Sequence, residues 1–173
     1  MTYDPLTPIF ERRSCRAFRT DPIPKEDLDR LLEAICAAPS AGNCQPWRFL
    51  VVRSQEEREA LAAAAGGQDF LAQAPIAIVV CADAARSAAS YGSRGRDLYV
   101  LQDTAAATEN LLIAATALGY GTCWVGAFDE DEASAVLRLP KKLRPVAIIP
   151  IGKAAKKLGR SSRRPMSEVV EMR

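Results

Sequence analysis

Three apolar runs constrain this chain more than any other feature: WRFLVV (47–52), IAIVVCA (76–82) and RPVAIIPIG (144–152). β-Branched and aromatic residues run together in them, so each reads as a buried strand. Long alanine- and leucine-rich segments lie between the runs, without a strict βαβ rhythm. The chain therefore reads as α+β, a central mixed or antiparallel sheet flanked by helices, rather than as a doubly wound fold.

The helices follow from spacing and caps. Asp4 and Pro5 open a short helix, since proline at the first helical position forfeits no hydrogen bond; it carries Ile9 and Phe10 inward and ends near Arg12 and Arg13. Residues 25–38 place Leu28, Leu31, Leu32 and Ile35 on one face, and Pro39 stops the helix. Ser54 with Glu57 forms a capping box for a helix over about 55–65, which GG ends. The Ser, Gly and Arg composition from Asp83 to Arg96 predicts a mobile surface loop. The longest helix runs over about 97–118, with Leu98, Leu101, Ala105, Leu112, Ala115 and Leu118 inward; Gly119 and Gly121 end it. Asp129 caps a small helix with Glu132 three residues on. The final MSEVVEM has a weak strand-like alternation but little to pack on within one chain, so a partner is expected to receive it.

With 173 residues, the chain suits a single domain over 1–173 with a real core, since about 70% of the unfolded surface is hidden at this size. A net charge of +2 is too small to imply nucleic-acid binding. Its distribution says more: Arg12, Arg13, Arg16 and Arg19 cluster near the start, and Lys153, Lys156, Lys157, Arg160, Arg163 and Arg164 follow one another near the end without an intervening acid. An anion fits between two such groups.

There is no histidine, which removes Ser-His-Asp and Cys-His catalysis and the usual His-bearing zinc sites. The five cysteines show no CxxC spacing and mostly have apolar neighbours, as reduced buried thiols do. Neither a signal-peptide pattern nor an apolar run of about 18 residues is present, so a cytoplasmic protein without a membrane span is expected.

Three segments are candidates for chemistry. In ERRSCRAF (11–18), Arg12, Arg13, Ser14 and Arg16 offer guanidinium forks and a hydroxyl suited to a phosphate monoester; a solvated basic helix end is the plainer alternative. In APSAGN (38–43), backbone amides and Asn43 suit a planar polar ring, or else the residues simply turn the chain from helix to strand. In GYGTCWVGAF (119–128), Gly126 either admits a ligand close to the backbone or marks a bulge. No GxGxxG, P-loop or HExxH is present.

Taken together, RRSCRAF, APSAGNCQPWRF, LGYGTCWVGAF and IIPIG with its basic tail resemble, in order and spacing, the motifs of the FMN-dependent nitroreductase family from about residue 8 to residue 170. The resemblance implies a homodimer with an FMN at each of two interface sites and a C-terminal segment exchanged between subunits. It puts Arg12, Arg13, Ser14 and Arg16 at the ribityl phosphate and flavin edge, and brings Pro39, Ser40, Ala41 and Asn43 from the partner subunit to the same flavin. It lays Trp124, Val125, Gly126 and Ala127 along the flavin, with a backbone N–H of Gly126 or Ala127 at N5. Gln68 would touch the pyrimidine side, and Lys157, Arg160 or Arg163 would complete the phosphate site. The implied activity is hydride transfer from NADH or NADPH through FMN to a small electron acceptor such as a nitroaromatic or quinone. A flavin-binding protein without nicotinamide-driven turnover, and another reaction on the same fold such as dehalogenation, are the alternatives.

Overall fold

The computed structural model describes residues 4–173. The three apolar runs are strands, and a fourth short strand joins them: β1 (Trp47–Val52), β2 (Ile76–Asp83), β3 (Gly121–Thr122) and β4 (Leu143–Gly152) form an antiparallel sheet in the order β1-β2-β4-β3. Ile76 faces Ile151 across β2 and β4, and a bulge interrupts the register between Val80 and Cys81. Successive side chains of a strand point to opposite faces. Ile76, Ile78 and Val80 thus share one core with Ile149 and Ile151, while Ala77, Val79 and Cys81 share another with Ile148. A strand with no polar face needs cover on both sides.

Helices provide that cover. They are α1 (Thr7–Glu11), α2 (Lys25–Cys36), α3 (Gln55–Ala64), α4 (Phe70–Gln73), α5 (Ala84–Arg94), α6 (Val100–Ala117) and α7 (Glu130–Val136). Leu28, Leu31 and Ile35 of α2 pack with Ala107, Leu111 and Ala115 of α6 on the first face; Leu61 of α3, Leu71 of α4 and Ala133 of α7 pack on the second. The two expected caps are made: Ser54 Oγ accepts from the Glu57 N–H at 3.3 Å, and Asp129 Oδ1 from the Glu132 N–H at 2.8 Å. The architecture is the expected α+β one, with the sheet wholly antiparallel.

Four local expectations fail, each for a physical reason. Residues 83–96 form no mobile loop. Asp83 Oδ1 accepts from the Arg86 N–H at 3.1 Å and starts α5, whose alanines sustain the helix despite the serines. A π-turn, Gly95–Tyr99, then joins α5 to α6, and here Gly95 lies so close to Ser87 that an added Cβ would stand 2.4 Å from the Ser87 carbonyl oxygen. That wider turn shifts the phase of α6, so the buried stripe is Val100, Asp103, Thr104, Ala107, Thr108, Leu111, Leu112 and Ala115, and Leu101 is exposed. Buried Thr104 and Thr108 are satisfied by donating to the carbonyls of Val100 and Thr104, each at 2.8 Å.

The other two misses concern surfaces. Ile9 and Phe10 on α1 point outward, 49% and 59% exposed, and Pro8 is the buried residue of that helix. The MSEVVEM segment is a 3-10 turn over Met166–Glu168 rather than a strand, and Met166, Val169, Val170 and Met172 are exposed. Among the described residues, no helix is long and apolar enough to cross a membrane.

Candidate functional site

The arginine-bearing segment is held against the outer edge of the sheet. Ser14 bridges Thr122 of β3 in parallel, and the Cys15 N–H donates to the Thr122 carbonyl at 2.7 Å. The approach is close enough to require glycine at 121, where a Cβ would lie 2.8 Å from that of Cys15. Three residues on from Cys15, Phe18 bridges Ala154, the Arg19 N–H donates to the Lys153 carbonyl at 2.8 Å and the Ala155 N–H to the Ala17 carbonyl at 2.9 Å. The chain entering the basic tail therefore runs beside residues 17–19, and the charge of Lys156 acts on the Cys15 thiol.

The three arginines here are not equivalent. Arg12 Nε lies 3.4 Å from the Glu109 carboxylate on α6. Arg13 Nη1 donates to the carbonyls of Phe10 and Arg12, both at 2.7 Å, and so caps the end of α1. Arg16 is exposed and has no ion-pair or hydrogen-bond partner among the described residues. Burial raises the thiol pKa of both Cys15 and Cys123 above the ordinary value; the Arg16 charge and the Ser14 hydroxyl beside Cys123 pull the other way without reversing the shift. Both thiols stay protonated at neutral pH, so neither is a thiolate nucleophile. All five cysteines are unpaired; Cys81 is also buried, Cys36 is exposed and Cys44 partly so.

The late glycine-rich segment is anchored at both ends. Val125 and Ile148 exchange backbone hydrogen bonds at 3.0 and 2.9 Å, and the Asp129 N–H donates to the Ala64 carbonyl at 2.8 Å. Between these anchors Gly126 and Ala127 are exposed, as is Trp124 just before them, while Val125 is buried. Gln68 Nε2 donates to the carbonyls of Ala65 at 2.9 Å and Ala127 at 3.2 Å, fastening the loop to the end of α3. The N–H groups of Gly126 and Ala127 donate to no acceptor among the described residues. Backbone donors are seldom left unspent except toward water or a ligand, and these two adjacent N–H groups on an anchored loop are open to either.

The third segment, Pro39 to Asn43, is a tight turn. The Asn43 N–H donates to the Ser40 carbonyl at 2.9 Å, the Gln45 N–H to Ser40 Oγ at 2.9 Å, and Gly42 and Asn43 both have φ of +54°. Asn43 Oδ1 accepts from Gln45 Nε2 at 3.0 Å, and the Asn43 amide donors are unspent among the described residues. The Ala41 N–H donates to Oδ1 of buried Asp103 at 3.1 Å. Helix α5 packs on the other side: Arg86 Nε donates to the Cys44 carbonyl, and an added Cβ on Gly42 would fall 2.3 Å from the Tyr91 hydroxyl.

The structure thus brings together Arg12, Arg13, Ser14, Arg16 and the entry of the basic tail along one edge, and Gln68 with Ala127 beside it. It holds the Pro39–Asn43 turn apart: Asp103, its anchor, and Glu109, the partner of Arg12, are six residues apart on α6, about 9 Å along the axis. Lys157, Arg160 and Arg163 are exposed, and among the described residues Arg163 bonds only the neighbouring Ser162 carbonyl. A cleft of about 700 Å³ lined by Arg19, Asp27, Tyr120 and Lys153 takes in only the start of the glycine-rich motif, at Gly119 and Tyr120, and another of about 520 Å³ around Arg58 includes none of the motif residues. Of the residues expected at the site, Ser14, Arg16, Asn43, Trp124, Gly126 and Ala127 are exposed, while Val125 is buried.

Sequence reasoning did not single out Asp103, and it named Lys156 only within the basic tail, not among the bases expected at the phosphate. The stripe of Leu98, Leu101 and Ala105 puts position 103 on the outer face, so the first became visible only with the true phase of α6. For the second, the proximity comes only from the Phe18–Ala154 bridge.

Comparison with known proteins agrees with the motifs. The nitroreductase family model matches residues 9–153. A protein of Archaeoglobus fulgidus, provisionally named an NADH dehydrogenase/NAD(P)H nitroreductase, is 39% identical over 151 residues, 85% of this chain and 83% of its own. The FMN reductase [NAD(P)H] of Bacillus subtilis is 29% identical over 174 residues, covering 93% of this chain and 70% of its own. A nitroreductase family protein of Streptococcus pneumoniae superposes with a TM-score of 0.87 at 27% identity, over 97% of this chain and 99% of its own.

Proposed function

This chain belongs to the nitroreductase family, and from that premise we propose that it is an FMN-dependent NAD(P)H oxidoreductase acting on a small electron acceptor such as a nitroaromatic or quinone, as a homodimer. The observation that carries this reading is the pair of unspent N–H groups at Gly126 and Ala127 on an anchored, exposed loop, next to an arginine edge. Bound FMN would supply the exchange of hydride equivalents between nicotinamide and acceptor, chemistry that no side chain of a histidine-free chain provides.

The protein's part is binding, orientation and charge. Arg16 and Arg12, with Ser14, would hold the phosphate and one flavin edge, and a base of the tail, Lys156 or Lys157, Arg160 or Arg163, would complete the phosphate site. Gly126 or Ala127 would donate its N–H to the redox-active nitrogen, with Trp124 and Val125 alongside and Gln68 holding the loop in place. The Pro39–Asn43 turn would approach from the second subunit, with its small residues lying close to the ring and the Asn43 amide reading its polar edge. Asp103 positions that turn through Ala41.

The purified protein should be yellow, with one FMN per chain. A colourless protein that takes up no added FMN would overturn the reading.

A further inference from the structure

Arg58 is a cation in a position suited to an apolar side chain. It shares the buried face of α3 with Leu61 and Ala62, and only 6% of its surface is exposed. Burying an ionised group costs several kcal/mol unless charge and hydrogen bonds compensate it. No carboxylate lies within ion-pair distance of Arg58 among the described residues. Its Nη1 donates to the Arg53 carbonyl at 2.5 Å and its Nη2 to Gln55 Oε1, both neutral acceptors, and its Nε has no partner. Three of its five N–H donors are therefore unspent. The acid whose field reaches it, Glu59, is held one step away, where its carboxylate accepts from Gln55 Nε2 at 2.8 Å. Desolvation outweighs that field, pulling the guanidinium below its ordinary pKa.

The same arginine lines a cleft of about 520 Å³ together with Thr20, Pro22, Gln55, Ala72, Gln73 and Pro75, and the Gln55 amide is already spent on Arg58, Glu59 and the Ala72 carbonyl. The lining contains no acid. The Thr20 hydroxyl and the Gln73 amide make no hydrogen bond to the described residues, and Pro22, Ala72 and Pro75 supply an apolar wall. Unspent donors, apolar lining residues and a volume within the usual range of about 300–1,000 Å³ are features of a small-molecule site. We propose that this cleft binds a small organic carboxylate, its carboxylate group turned to Arg58 and Gln73 and its apolar body against Pro22, Ala72 and Pro75. The bound carboxylate supplies the counter-charge that the fold withholds. The site is distinct from the flavin edge and does not depend on the flavin reading, since none of the motif residues lines it.

Benzoate, with inorganic phosphate as the second probe, tests this by isothermal titration calorimetry on the protein as purified, at constant ionic strength. The expected result is saturable binding of one benzoate per chain, roughly millimolar or tighter, with the visible spectrum of any bound flavin unchanged. Arg58→Met, which keeps the volume and removes the buried charge, should fold with equal or higher thermal stability and bind benzoate at least about tenfold more weakly. Gln73→Ala, at an exposed position, provides a second variant and should weaken binding about threefold or more. Four outcomes would overturn the proposal: no saturable heat, binding unchanged in both variants, saturation by phosphate but not benzoate, or binding that perturbs the flavin spectrum and survives Arg58→Met.

Discussion

Arg16→Ala should purify with most of its flavin missing and an affinity for FMN reduced roughly ten- to a hundredfold. The side chain is exposed and bonded to nothing else in the described chain, so its loss should change the stability of the fold by no more than about 0.5 kcal/mol. A hydrogen bond from a charged donor contributes about 1.5–3 kcal/mol, which is one to two decades in affinity. Arg13→Ala makes the contrast. Arg13 caps α1 through the Phe10 and Arg12 carbonyls, so that variant should lose stability on the order of 1 kcal/mol, and any flavin it sheds would be partly a folding effect. Quenching of free FMN fluorescence on titration with protein, read beside the melting temperature, separates the two. Unaltered FMN affinity in Arg16→Ala would remove the arginine edge from the site.

Deletion of residues 159–173 should leave the melting temperature of the chain's own core nearly unchanged, while the native mass falls to that of one chain and flavin binding is lost. Every residue of that segment is exposed, and its ion pairs, Arg164 with Glu168 and Arg173 with Glu171, are internal to it. It contributes no packing to either face of the sheet. Yet Met166, Val169, Val170 and Met172 form an apolar run that gains nothing from facing water, at about 25 cal/mol per Å² of apolar surface left unburied. A second copy of the chain would cover it, and Arg160 and Arg163 would travel with it. Light scattering on the shortened protein checks this, and a full-strength dimer that still holds FMN would contradict it.

What could be read from the sequence, and what could not, follows from the range of each interaction. The strands at 47–52, 76–83 and 143–152 and the helices at 25–36 and 55–64 are local patterns: β-branched runs, an i, i+3, i+4 face, and caps at Ser54 and Asp129. Helix α5 was hidden by its serines and Gly92, and the face of α6 by a π-turn, which breaks the 3.6-residue period from which that face was inferred. Ile9 and Phe10 show the limit of hydrophobicity as a signal, since apolarity says that a side chain favours burial without saying against which chain. The candidate site divides in the same way. Its three motifs are short contiguous strings, legible by eye. The Ala41–Asp103 bond spans 62 positions, and the nearness of Lys156 to Cys15 depends on a bridge across the whole fold.

The geometry also sharpens the role of the Pro39–Asn43 turn. Its positive φ values at Gly42 and Asn43, the Tyr91 hydroxyl pressed on Gly42 and the Asp103 carboxylate beneath Ala41 fix its shape before any ligand arrives. A turn held from both sides can present Asn43 at little entropic cost on binding.

The central claim, that the chain is a flavin enzyme driven by a nicotinamide, is tested most directly by adding NADH, and separately NADPH, to the purified FMN-loaded protein without oxygen. The predicted result is loss of the visible flavin band with at least one of the two, complete at one equivalent per FMN, and its return when a quinone or nitroaromatic is added. A band that stays at full strength with both nicotinamides would contradict the account, leaving a protein that binds flavin without turning it over.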